Sequence, residues 1–168
     1  MNTRPGVYVD TSIVSYLVAA TSKNPGTAGR QYETHRWWDE ESQRFRLVTS
    51  ALVYEEAGRG SADYAAKRIS LLDTLEEVDF PKAETKGIVE SLLLGHSLPP
   101  QAANDATHIA IAAVNGIEYL LTWNCAHLAN TYARPKIEET LWRLGYKPVL
   151  LCTPYELRCS FQESNDDP

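Results

Sequence analysis

Four polar side chains could act together: Asp10, Glu56 (or its neighbour Glu55), Asp105 and Asn124. Each lies at the end of a short apolar run or at the start of a helical one, where an α/β protein gathers its working groups. Carboxylates brought together repel, and without a cation one of them must bind a proton. A cluster of three is therefore either costly or built around a metal. Hard oxygen ligands that leave most of the coordination shell to water and substrate suit Mg²⁺ or Mn²⁺, ions that position phosphates and activate water. The implied chemistry is metal-assisted phosphodiester hydrolysis, one metal generating hydroxide and a second, if present, steadying the departing oxygen.

The elements that must position these groups are legible from periodicity. From Gln101 onward Ala102, Ala106, Ile109, Ala113 and Val114 recur at helical spacing, with Pro99 and Pro100 before them and Gly116 as a stop. That predicts a helix with Asp105 one turn in. Ile117 to Trp123 is too short for a helix and rich in β-branched and aromatic residues, so it reads as a buried strand ending at Asn124. Val7 to Asp10 is a strand ending in Asp-Thr-Ser ahead of the helical pattern Ile13, Val14, Tyr16, Leu17, and Asp10 suits an N-cap as well as a site. Arg46 to Ser50 reads as the second strand, and Ala51 to Ala57 turns helical. Adjacent helical residues point about 100° apart, so only one of Glu55 and Glu56 can face a shared site.

The remaining segments give a loop over Thr21 to Gly29 and helices over Thr34 to Phe45, Ser61 to Leu75, a stretch opening at Asp79-Phe80-Pro81 and ending at Gly95, and Arg134 to Leu144. Short strands are predicted at Glu76 to Phe80 and Pro148 to Cys152. Strands alternating with helices predict an α/β fold with a mainly parallel sheet. The 168 residues, 43% hydrophobic, fit one domain over 1–161 followed by a polar tail over 162–168. No apolar run approaches a membrane span and no signal-peptide core follows Met1, so a cytoplasmic protein without membrane attachment is expected. The net charge of -6 argues against a whole-surface nucleic-acid binder but leaves room for a local patch or for metal ions on acids. Cys125, Cys152 and Cys159 lack paired spacing and read as small buried thiols, not as a zinc site or disulfide framework.

Three segments, VYVDTS, SALVYEEAGRG and NDATHIAIAAVNGIEYLLTWNCAH, resemble the signature blocks of PIN-domain ribonucleases, specifically the toxin components of VapBC toxin-antitoxin pairs. The resemblance covers Val7 to about Asn130, and the T-W-N-x-x-H variant resembles one branch. It implies a three-layer α/β/α fold and a metal-dependent endoribonuclease acting on RNA as the toxin of a type II system. It also implies a homodimer held inactive by a small antitoxin. By position, Asp10, Glu56 and Asp105 resemble the metal-binding acids, with Thr11 or Ser12 supplying a hydroxyl, and Glu56 matches better than Glu55. Asn124 stands where many relatives carry a fourth acid. Its amide can orient water or bind a metal through oxygen but adds no charge.

Other residues carry weaker signals. His108 shares a helix face with Asp105 and reads first as packing, with a hydrogen bond to the aspartate or a substrate contact as the alternative. His127 could donate to a phosphate, and Arg59 could meet an RNA backbone. Trp37 and Trp38 read as core or partner-facing residues, Trp123 and Tyr119 as core, and Asp39, Glu40 and Glu41 as a solvated helix face. Two further functions compete. One is a non-catalytic PIN-like binding module with a weakened metal site. The other is a phosphoacceptor or phosphatase domain using Asp10 as nucleophile, against which Ser12 stands where a second aspartate is needed and no lysine closes the last strand.

Overall fold

Apolar side chains on both faces of the central strands dictate a sheet whose middle is buried from both sides, and the chain builds one. The computed structural model describes residues 4–163. Five parallel strands, β1 (Gly6–Val9), β2 (Arg46–Thr49), β3 (Glu76–Glu77), β4 (Tyr119–Leu121) and β5 (Leu150–Cys152), lie in the order β3-β2-β1-β4-β5. All four residues of β1 are buried at the centre, with Val7 opposite both Leu47 and Tyr119. The helices are α1 (Thr11–Val18), α2 (Pro25–Glu40), α3 (Ala51–Ala57), α4 (Ala62–Leu72), α5 (Lys82–Leu94), α6 (Ala103–Val114), α7 (Arg134–Arg143) and α8 (Pro154–Glu163). The predicted three-layer α/β/α architecture is the one observed.

The chain builds outward from β1 to β3 on one side, then crosses to β4 and β5 on the other, so the order reverses between β1 and β4. Neighbouring crossovers leave in opposite directions there, opening a crevice at the strands' carboxyl ends. Helix α6 runs close behind it. Ala106, Ala110, Ala112 and Ala113 let α5 approach α6 closely, and Ile109 and Ile111 complete a face buried almost all round. Gly116, at φ +64°, turns the chain out of α6, with the Gly116 and Ile117 amides donating to Ala113 and Ala112 carbonyls. A side chain would be strained in that conformation.

Several boundaries differ from the sequence reading. The loop expected over Thr21 to Gly29 is observed only to Asn24, and its second half is the start of α2: Asn24 Oδ1 accepts from the Thr27 amide at 3.0 Å and Pro25 takes the first helical position, so part of the polar composition marked a cap. Strand β4 ends at Leu121 instead of Trp123, because Thr122 and Trp123 turn to the β1 loop. Strands β3 and β5 are likewise shorter than expected. Helix α8 had no sequence assignment, yet Thr153-Pro154-Tyr155-Glu156 is a capping box: Thr153 Oγ1 accepts from the Glu156 amide at 3.2 Å, and Glu156 Oε2 accepts from the Thr153 amide at 2.8 Å. Glu41 is buried beside Arg44 at 3.1 Å instead of lying on a solvated face, and Cys125 is exposed. Trp37 is fully buried. Residues 164–168 of the expected tail lie outside the described residues. Among the described residues no helix is long and apolar enough to cross a membrane.

Candidate functional site

Asp10 leaves β1 where the sheet order reverses, its amide still bonded to the Leu121 carbonyl of β4. The capping expected of this residue is observed, and its second oxygen is held by other donors. Oδ1 caps α1 by accepting from the Thr11 amide at 2.7 Å, while Oδ2 accepts from Ser12 Oγ at 2.8 Å and Thr122 Oγ1 at 2.7 Å. Ser12 Oγ also accepts from the Trp123 amide, and Thr122 Oγ1 from the Asn124 amide, both at 3.0 Å. The two loops are thus stitched together around a carboxylate only 6% exposed.

Strand β2 feeds α3 through Ser50, and one turn later the helix delivers Glu56 beside Asp10. Glu56 Oε2 accepts from Thr11 Oγ1 at 2.5 Å and lies 3.1 Å from His108 Nε2, and Oε1 accepts from Asn104 at 3.3 Å. Glu55 points outward and pairs with exposed Arg59 at 2.7 Å. The 100° between neighbouring helical residues thus separates the two acids completely.

His108, from α6, completes the group. Its Nε2 is 3.8 Å from Asp10 Oδ1, its Nδ1 is 2.8 Å from the Tyr8 hydroxyl, and that hydroxyl is 2.6 Å from Ser50 Oγ. Burial disfavours a charged imidazole, but the Glu56 hydrogen bond and the negative charges of Asp10, Glu56 and Asp105 outweigh it, so the His108 pKa stands above its ordinary value. Burial likewise opposes charge on Glu56, yet its bond to His108, the imidazole's charge and the Thr11 and Asn104 donors hold its carboxyl below the usual range. Burial raises the Tyr8 phenol far above its ordinary pKa, so the hydroxyl keeps its proton. It donates either to Nδ1 of a neutral ring or to Ser50 beside a charged one, and in both cases Nε2–H donates to Glu56.

The ligand atoms of Asp10, Glu56 and His108 all lie within 4.8 Å of one another. Two carboxylates this close, one of them hydrogen-bonded by the imidazole, form a group that could hold a divalent cation. The carboxylate oxygens are hard donors of the kind divalent cations take. Asp105 is not part of this close group. Its Oδ1 accepts from Asn124 Nδ2 at 2.9 Å, and its Oδ2 lies 2.7 Å from His127 Nδ1. Asn124 Oδ1 accepts from the His127 amide at 3.2 Å, and its main-chain oxygen accepts from the Leu128 and Ala129 amides. A cavity of about 720 Å³, lined mainly by residues of α5 and α7, includes none of these acids.

A family profile for the PIN domain matches residues 7–124. The chain belongs to the PIN-domain family. PIN domains are generally nucleases. Among solved structures, the Mycobacterium tuberculosis toxin VapC20, described as cleaving the Sarcin-Ricin loop, is similar at 20% identity and a TM-score of 0.54, over 73% of this chain and 93% of that one. The FitAB complex bound to an IR36 DNA fragment is similar at 15% identity and a TM-score of 0.54, over 89% of this chain and 95% of that one. A comparison with curated protein sequences finds no significant match.

Within this PIN domain the sequence-predicted residues divide into two groups: Asp10 and Glu56 in one, Asp105 and Asn124 in the other. Sequence reasoning weighted His108 toward packing, whereas it touches both acids of the close group. The available signal is a histidine just ahead of the small and apolar run AIAAV of α6, three residues past an aspartate. Tyr8, Ser50 and Thr122 were not anticipated at all, since a tyrosine in a buried strand and hydroxyls at strand ends carry no distinctive spacing.

Proposed function

We propose that this PIN domain is a Mg²⁺- or Mn²⁺-dependent endoribonuclease that hydrolyses RNA phosphodiester bonds. In this reading it is the toxin of a type II toxin-antitoxin pair, acting in the cytoplasm as a homodimer restrained by a small antitoxin protein. The observation that carries the catalytic part is the meeting of Asp10, Glu56 and His108 at the reversal of the sheet order, drawn from segments far apart in sequence. The toxin part is supported by family membership and by the names of the two similar structures.

Asp10 and Glu56 would hold the cation, and Asp105 adjoins them as a third carboxylate whose charge reaches His108. A hard divalent ion in that position supplies charge neutralisation for a phosphate and a more acidic water. The chain's own groups do the positioning. Thr11, Ser12 and Thr122 fix the carboxylates by donating to them, and the Tyr8–His108 bond keeps the imidazole turned toward Glu56. Asn124 organises the β4 loop and leaves the charge of the pocket to the acids.

RNA cleavage measured with and without Mn²⁺, comparing wild type with Asp10→Ala, tests the proposal. Cleavage that requires Mn²⁺ and disappears in a folded Asp10→Ala protein is the expected result. RNA left intact by metal-saturated wild type removes the reading.

A further inference from the structure

A cavity of about 380 Å³ adjoins the second group of site residues, lined among others by Pro99, His127, Asn130, Tyr132 and Lys136. Its size falls within the ~300–1,000 Å³ of small-molecule and nucleotide sites. The segment that forms its rim is fixed by its own contacts. Leu128 is fully buried in the core, Asn130 Oδ1 accepts from the Tyr132 amide at 2.9 Å, and Asn130 Nδ2 donates to the Ala126 carbonyl at 3.0 Å. This scaffold presents a tyrosine ring 89% exposed to solvent. His127 joins the cavity to the acids: Asp105 occupies its Nδ1, and among the described residues its Nε2 has no hydrogen-bond partner. Lys136, also exposed, makes no ion pair among the described residues although the chain is acidic.

We propose that this cavity is a nucleotide subsite of the RNA substrate, in which Tyr132 stacks on a base, Lys136 meets a backbone phosphate and His127 Nε2, its Nδ1–H spent on Asp105, accepts from a ribose 2′-hydroxyl beside the acid group. The proposal rests on the ribonuclease reading and adds where the strand lies. An exposed aromatic ring, an unpaired cation and a fixed acceptor beside the acid group are the three contacts that a flexible single strand of RNA can satisfy without sequence readout. Stacking places the base, and the phosphate that follows is delivered toward Asp105 and the group beyond it.

The test is fluorescence anisotropy of a 5′-labelled ten-nucleotide single-stranded RNA of mixed sequence, bound to full-length protein carrying Asp10→Ala so that it stays intact. Tyr132→Ala is expected to weaken binding about 5- to 10-fold, while Tyr132→Phe, which keeps the ring, binds like the parent. Lys136→Gln is expected to weaken binding and to flatten the salt dependence by about 0.7 in log–log slope, the value for one single-strand phosphate contact. With the active protein and the same RNA, Tyr132→Ala raises KM and leaves kcat unchanged. Tyr132 is so exposed that its replacement leaves the fold intact, which a thermal melt verifies. Unchanged RNA affinity in Tyr132→Ala, with wild type still cleaving, overturns the subsite and spares the ribonuclease. The same holds if Tyr132→Ala alters only the oligomeric state in light scattering, which makes Tyr132 a subunit contact. A wild type that neither binds nor cleaves RNA removes both readings.

Discussion

Asn124 occupies a position where a fourth acid would be expected, and its contacts give it a role that an acid could not fill. Its Nδ2 donates to Asp105 Oδ1 at 2.9 Å while its Oδ1 accepts from the His127 amide. In Asn124→Asp the acceptor survives, but an oxygen replaces the donor and two carboxylates face each other. Two unit charges relaxed to about 4 Å repel by ~4 kcal/mol at an effective dielectric near 20. The lost hydrogen bond to a charged group adds ~1.5–3 kcal/mol. Both side chains are partly solvated, so water relieves much of this, leaving a destabilisation of ~2–3 kcal/mol. At about 2–4 °C per kcal/mol for a chain of this length, Tm in EDTA falls by about 4–12 °C. A cation seated between the carboxylates removes the repulsion, so Mn²⁺ recovers most of the loss. Asn124→Ala, which loses the bond without gaining a charge, is destabilised by ~1–2 kcal/mol and is not rescued. Differential scanning fluorimetry with and without Mn²⁺ measures all three proteins. Equal melting of wild type and Asn124→Asp in EDTA refutes the argument, as does a variant that Mn²⁺ fails to restore.

Glu56→Gln is expected to abolish Mn²⁺-dependent RNA cleavage, whereas Glu55→Gln, which breaks only an exposed pair with Arg59, leaves initial rates within about twofold. Thr122→Val deletes a donor to Asp10 and the acceptor of the Asn124 amide, and calorimetric titration should show Mn²⁺ affinity about 10–100-fold weaker. In EDTA the Glu56–His108 pair makes stability depend on pH from both sides. The raised His108 pKa contributes stability that is complete below the ordinary imidazole value of 6.5 and is lost as pH rises through the folded value. The lowered Glu56 pKa contributes stability present above its ordinary 4.5 and lost as pH falls through the folded value. Metal-free Tm should therefore fall as pH rises past 6.5 and through the folded value, and melts of His108→Gln should lack that limb.

Much of this architecture can be read from the chain because parallel sheets leave strong local marks. VYV, LVTS and EYLL are apolar on both faces, each is followed by a helical pattern, and the acids sit at the joints. What periodicity cannot supply is the side-chain geometry across 100 residues. Nothing local says that His108 meets Glu56 while Asp105, one turn earlier on α6, turns to the β4 loop. Periodicity alone does not choose between Glu55 and Glu56, because the phase of a seven-residue helix depends on which face packs; the family resemblance is what favours Glu56. The start of α2 was obscured for a different reason: Asn, Pro and Gly serve both loops and caps, and only the Asn24–Thr27 bond distinguishes them. The capping box before α8 was present in the sequence and sufficient to find it.

The origin of the three grouped side chains in β1, α3 and α6 constrains synthesis of the protein. A ribosome that has released only the first hundred residues carries two carboxylates without their imidazole, and no β4 loop to hold them. The first strand waits at what will become the centre of the sheet until its last neighbours emerge. The group is thereby incomplete until most of the chain has been translated.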